Sequence, residues 1–138
     1  MSTPDEHPAR AASQRSMAAV EAGDREAWLG LFAPDGVVED PIGPSMFDPD
    51  GQGHHGPEGI AAFYDTVIGP NQVRFAIRDS YACGLEVANV GTITTTLGDG
   101  SQAVVDGVYT YRVDDEGRIV ALRAYWEVDA ITFVPAPT

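Results

Sequence analysis

The sequence predicts an α+β domain, with helices gathered on one side of an antiparallel sheet. Three observations carry that expectation. Over residues 13–32 and 57–68 the apolar residues recur at helical spacing. From residue 72 onward they fall into strand-like runs; Thr92 to Thr96 is β-branched at every position. Glycine-bearing turns, Leu97-Gly98-Asp99-Gly100 and Asp114-Asp115-Glu116-Gly117, separate the later runs as hairpins would.

Taken in order, a first helix is expected over residues 13–22. Met17 and Val20 share one side, Ala18 and Ala19 favour helix, and Gly23 is placed to end it. Residues 1–12 are expected to be a flexible segment before a single domain over residues 13–138. Asp24 can cap a second helix over residues 25–32, with Trp28, Leu31 and Phe32 on one apolar face. Pro34-Asp35-Gly36 signals a turn, and residues 37–40 a short strand that Pro41 ends. A loop rich in glycine and proline follows over residues 42–56, long enough to act as a lid or to be disordered. Pro57 opens a third helix over residues 57–68, striped by Ile60, Phe63, Tyr64 and Val67. Strands over residues 72–81, 86–96, 102–114 and 118–128 complete a four-strand meander.

The chain has 138 residues, which fits one domain. Twenty-one acidic residues against eight lysines and arginines give a formal net charge of −13. That field repels nucleic acid and anionic membranes, so neither is expected as a partner; an uncharged small molecule is permitted. No apolar run approaches the roughly 20 residues of a membrane helix. The first fifteen residues are polar, with no secretory signal, and a cytoplasmic location is expected. The single cysteine, Cys83, reads as a buried small hydrophobe in a strand.

Asp40 is the first candidate for chemistry. In an extended segment it shares a face with Val38, the face expected to look toward the helices. A carboxylate among apolar groups is poorly solvated, which raises its pKa and suits a general base. A turn aspartate bonding its own backbone before Pro41 is the other reading of the same residues. The adjacent His54-His55 pair lacks chelating spacing, so no metal is expected. Gly51 to Gly56 has the letters of a dinucleotide motif without the strand before it and the crossover after it. No cofactor is expected.

Several short pieces, in order, carry a resemblance. Ala22-Gly23-Asp24, Leu31-Phe32-Ala33, Val38-Glu39-Asp40-Pro41-Ile42-Gly43, Gly56-Pro57-Glu58-Gly59-Ile60 before Phe63-Tyr64, and Gly117-Arg118-Ile119-Val120 before Arg123-Ala124-Tyr125-Trp126 resemble the ketosteroid isomerase family. That family lies in the nuclear transport factor 2-like (SnoaL-like) superfamily. The resemblance spans about residues 13–128. It implies a cone-like fold, a curved antiparallel sheet with three N-terminal helices around an apolar pocket, commonly dimeric, holding a small flat apolar ligand such as a steroid. It also implies that Asp40 is a base moving a proton between two carbons of an unsaturated ketone through a dienolate. Ketosteroid isomerase is itself a worked case of a base paired with an oxyanion hole.

The hole is where the chain departs from the family. Ser16 stands where the family has a tyrosine, and an ungapped count back from Gly117 puts Tyr109 where it has a protonated aspartate. Asp106, three residues earlier, faces the other side of a regular strand. A hole rebuilt from Tyr109 and Tyr64 is one reading, with a core aromatic at Tyr109 and helix-to-sheet packing at Tyr64 the other; the loss of even one donor would cost on the order of 3–4 kcal/mol of barrier. Trp126 is the expected flat wall, with Tyr125 facing away; Ser16, Phe32, Phe63 and Met46, with Phe47 beside it, are expected to line the ligand site. A polyketide cyclase, an epoxide hydrolase using Arg112 or Arg123, and a binder without turnover are the alternatives.

Overall fold

A computed structural model describes residues 7–137 of the chain. The first helix, α1 (Pro8–Ala22), begins where Pro8 takes the first turn and the His7 ring accepts from the Ala9 amide at 3.1 Å. It ends at Gly23, whose φ is 68°. The segment expected to be flexible is therefore corrected: residues 8–12 are helix, with Ala9 and Ala12 fully buried, and residues 1–6 lie outside the described residues. Alanines give no apolar stripe strong enough to extend a helix from sequence, yet their small size lets α1 lie close on the sheet. After α1 comes α2 (Arg25–Leu29), capped by the Asp24 carboxylate, which accepts from the Ala27 amide at 3.1 Å.

The strand β1 (Phe32–Glu39) starts earlier than its sequence signals suggest. Pro34-Asp35-Gly36 is not a turn that precedes a strand but an irregularity inside one: the register jumps from Phe32 opposite Ile119 to Val37 opposite Ala121. The loop after Asp40 ends in β2 (His54–His55), paired with Val38 and Val37. It is tied down from within. The Asp48 carboxylate accepts from the Gly53 amide at 2.7 Å and the Gln52 amide at 3.3 Å, and Ser45 and Asp48 form a bridge. The next helix, α3 (Gly56–Phe63), runs into a π-helical turn, Tyr64–Ile68.

Four long strands follow: β3 (Gln72–Cys83), β4 (Glu86–Thr96), β5 (Gln102–Val113) and β6 (Ile119–Tyr125). A last strand, β7 (Thr132–Val134), had no signal strong enough to be expected; it returns to pair with the start of β5. The seven strands form one sheet, six of them in the order β2-β1-β6-β5-β4-β3 with β7 added against β5, antiparallel except for the β1–β6 pair. The sheet bends where β3 carries an extra residue between Ile77 and Asp79. Opposite that bulge, Gly91 gives the room: a Cβ there would strike the Ala76 and Ile77 backbone.

Helix α1 packs against β3, β4 and β5, and α3 against β1. Between these layers lies a core built around Trp28, Val38, Ile60, Phe63, Tyr111 and Ile119. Cys83 corrects its expectation, because it is exposed near the end of the edge strand β3, with Ala82 taking the inward position. Among the described residues no helix is long and apolar enough to cross a membrane.

Candidate functional site

The concave face of the sheet and the helices enclose a cavity of about 200 Å³. Its walls come from separated parts of the chain: Ser16 and Met17 of α1, Phe63 and the π-helical turn, Phe75 of β3, Ile93 of β4, Tyr109 and Tyr111 of β5, Leu122 of β6. Alternation along β5 puts Val105, Tyr109 and Tyr111 on the same inward face.

Asp40 follows β1 directly and lines this cavity, half-buried at its wall. The Asp40–Pro41 peptide is cis. The Trp126 indole Nε1 donates to the Asp40 carboxylate at 2.7 Å. Burial among apolar walls pushes the Asp40 pKa above its ordinary value, and the Trp126 hydrogen bond and the nearby His54 oppose that rise without cancelling it. Among the described residues Asp40 is the one charged side chain in the cavity wall. Trp126 lies just beyond the end of β6, and its neighbour Tyr125 is half exposed on the outer side, as alternation requires.

Ser16 is buried, and its hydroxyl joins two aromatic side chains. The Trp28 Nε1 donates to Ser16 Oγ at 3.0 Å, and Ser16 Oγ lies 3.0 Å from the Tyr111 hydroxyl. Tyr111 was not foreseen as a site residue. Its position two residues after Tyr109, on the same face of one strand, was the signal available. Burial pushes both phenols well above the ordinary tyrosine range, with the Asp40 charge adding to the effect.

The other expected residues are distributed as follows. Phe63 lines the cavity. Tyr109 also lines it, but its hydroxyl donates to the Val105 carbonyl of its own strand at 3.2 Å. Tyr64 is buried outside the cavity wall, its ring 5.6 Å from that of Trp28. Phe32 likewise stays outside the wall, edge-on to Trp28 at 4.8 Å, because it opens β1 instead of closing α2. Met46 is 55% exposed, and its neighbour Phe47 takes the place in the wall. Arg123 is held outside by Glu39, 3.0 Å away, and Asp106 sits exposed on the outer face with Thr92 and Arg78. No arginine and no second acid enter the wall among the described residues, so the Asp–Arg–Asp arrangement that epoxide opening would want is not assembled.

Comparison with known proteins agrees with this geometry. A SnoaL-like domain model matches residues 13–122. A steroid delta-isomerase from Nocardioides simplex is 30% identical over 127 residues, covering 92% of this chain and 96% of that protein. The crystal structure of a delta 5-3-ketosteroid isomerase from Mycobacterium sp. superposes with a TM-score of 0.89 at 50% identity, covering 92% of this chain and 98% of that one. A Mycobacterium tuberculosis protein in complex with estradiol-17β-hemisuccinate gives 0.89 at 41% identity, covering 93% of this chain and 100% of that one. A computationally designed 17-OHP binder gives 0.89 at 38%, covering 93% and 99%.

Proposed function

Because the chain belongs to the SnoaL-like domain family, within the nuclear transport factor 2-like fold, we propose that it is a steroid isomerase-like protein that needs no cofactor and uses Asp40 as its general base. The observation that carries this reading is the Asp40 carboxylate: a single acid in an apolar wall, held by the Trp126 indole at 2.7 Å. Its raised pKa makes the ionised carboxylate a stronger base than an exposed aspartate. The ionised carboxylate takes a proton from the carbon between the carbonyl and the double bond. The electron pair moves onto the carbonyl oxygen as a dienolate. The same proton returns from Asp40 at the far carbon, the double bond comes into conjugation, and the carboxylate is regenerated. Nothing is consumed besides the substrate. Tyr109 borders the same cavity and could donate to the developing oxyanion only by giving up its bond to Val105. The same reading includes a homodimer, formed through the outer face of the sheet.

A second reading, a binder of steroid-like molecules without turnover, is favoured by one observation: Ser16 brings no phenol to the place where the family has its tyrosine donor. Isomerisation of a β,γ-unsaturated 3-ketosteroid, followed by the ultraviolet band of the conjugated product, separates the two. Wild-type turnover that falls by about 10²–10⁴-fold in Asp40→Asn is the expected result. Absence of turnover in the wild type would leave the binder reading.

A further inference from the structure

The buried hydroxyls of Ser16 and Tyr111 have a countable hydrogen-bond inventory. An indole Nε1–H can only donate, so Trp28 spends its proton on Ser16 Oγ at 3.0 Å. One proton remains on Ser16 and one on Tyr111, with 3.0 Å between the two oxygens. Suppose Tyr111 donates to Ser16. The Ser16 proton then has no acceptor within hydrogen-bond distance among the described residues, at a side chain only 1% exposed. Its helix neighbour Ser13, by contrast, returns its proton to the Arg10 carbonyl at 2.8 Å. Suppose instead that Ser16 donates to Tyr111. The proton left over is then the phenolic one, on a ring that lines the cavity. Either way one of the three protons has no protein acceptor, and it sits at lower cost on Tyr111, 4% exposed, than on Ser16, 1% exposed. The relay therefore runs from Trp28 to Ser16 to Tyr111 and out into the cavity.

On the reading that the cavity takes a flat ketone, we propose that Tyr111, held and polarised by the buried Trp28–Ser16 relay, donates the hydrogen bond that the ligand's carbonyl oxygen accepts. A hydroxyl that already accepts a hydrogen bond is a better donor. Burial keeps the phenol protonated at neutral pH, as a donor must be. Tyr109, whose proton is engaged by Val105, is the natural comparison. Tyr111 is thus the catalytic donor, and Ser16 and Trp28 are its positioning residues.

The test uses a conjugated 3-ketosteroid and its 3-deoxy analogue with the whole protein. Infrared difference spectra read the bound carbonyl stretch, and quenching of tryptophan fluorescence reads affinity. In the wild type the stretch should lie below its value in an apolar solvent, and the ketone should bind about tenfold tighter than the 3-deoxy steroid. Tyr111→Phe should lose both effects and lower kcat by about 10²–10³-fold. Ser16→Ala, which keeps the phenol but removes its relay, should lose part of the spectral shift, and Tyr109→Phe should keep it. A shift unchanged in Tyr111→Phe, or abolished in Tyr109→Phe, would overturn the assignment. Should Tyr111→Phe fail to fold, an unaltered shift in Ser16→Ala would overturn the relay. A wild type that binds neither steroid sinks the flat-ketone reading and the donor with it. A wild type with the shift but no turnover retains the donor and loses the isomerase.

Discussion

Asp40 and Trp126 illustrate how one hydrogen bond tunes a carboxylate against its own desolvation. The indole donor stabilises the ionised form and so partly offsets the desolvation that raises the Asp40 pKa. Hydrogen bonds to charged groups contribute about 1.5–3 kcal/mol, which corresponds to about one to two pH units. The rising limb of the pH profile of kcat/KM should therefore lie above the ordinary aspartate value of 3.8 and move up by about that amount in Trp126→Phe. The same desolvation bears on stability. Because the folded pKa of Asp40 is raised, the native state binds more protons than the unfolded one between the two pKa values. Its contribution is fully present below about 3.8 and is lost as the pH rises through the folded value. Asp40→Asn should accordingly melt at a higher temperature than wild type near neutral pH, with the difference vanishing in strong acid; differential scanning calorimetry across pH reads it. Asp40, Ser16, Phe63 and Trp126 could be read from the sequence because strand alternation and the order of short pieces fix their side. Tyr111 could not be ranked above Tyr109, since both share a face and only the partners of each hydroxyl distinguish them.

Elements shift some of these positions. The π-helical turn adds a residue per turn to the end of α3, so Thr66, Val67 and Ile68 rotate into the wall while Tyr64 rotates out. An ordinary helical stripe over Ile60, Phe63, Tyr64 and Val67 had no means of anticipating that. Boundaries of β4 and the turns of the meander were legible, because β-branched runs and glycine turns are local signals; the early start of β1 and the existence of β7 depend on partners far along the chain. Gly107 of β5 shows how closely the elements meet. A Cβ there would collide with the Tyr125 carbonyl and come within 3.0 Å of the Trp126 Cβ. Gly107→Ala should destabilise the fold by about 1–3 kcal/mol, as overpacking does. It should also displace the indole from Asp40, so the pH limb should move in the direction seen for Trp126→Phe. Urea unfolding and the pH profile together check both effects.

At the scale of the molecule, the sheet presents a second face that the helices leave uncovered. Register places Tyr125 opposite Val108, and Val108 opposite Val90, across three strands of that face. Tyr81 and Tyr125 are 65% and 50% exposed there, on a chain with a net charge of −13. Such aromatics on an otherwise acidic protein suit contact with a second copy. Sedimentation velocity should find a dimer, and Tyr125→Arg should convert it to monomer with the fold intact.

The hydrogen bond between Trp126 and Asp40 joins residues 86 positions apart. During synthesis the chain emerges N-terminus first, so the acid leaves the ribosome long before its indole. Until then a carboxylate faces an unfinished apolar hollow whose remaining walls, Leu122, Trp126 and Ile131, have yet to be made. The cavity of a nascent chain is thus incomplete until Ile131 has been added. A small molecule that fills the cavity would therefore stabilise only chains made at least through Ile131.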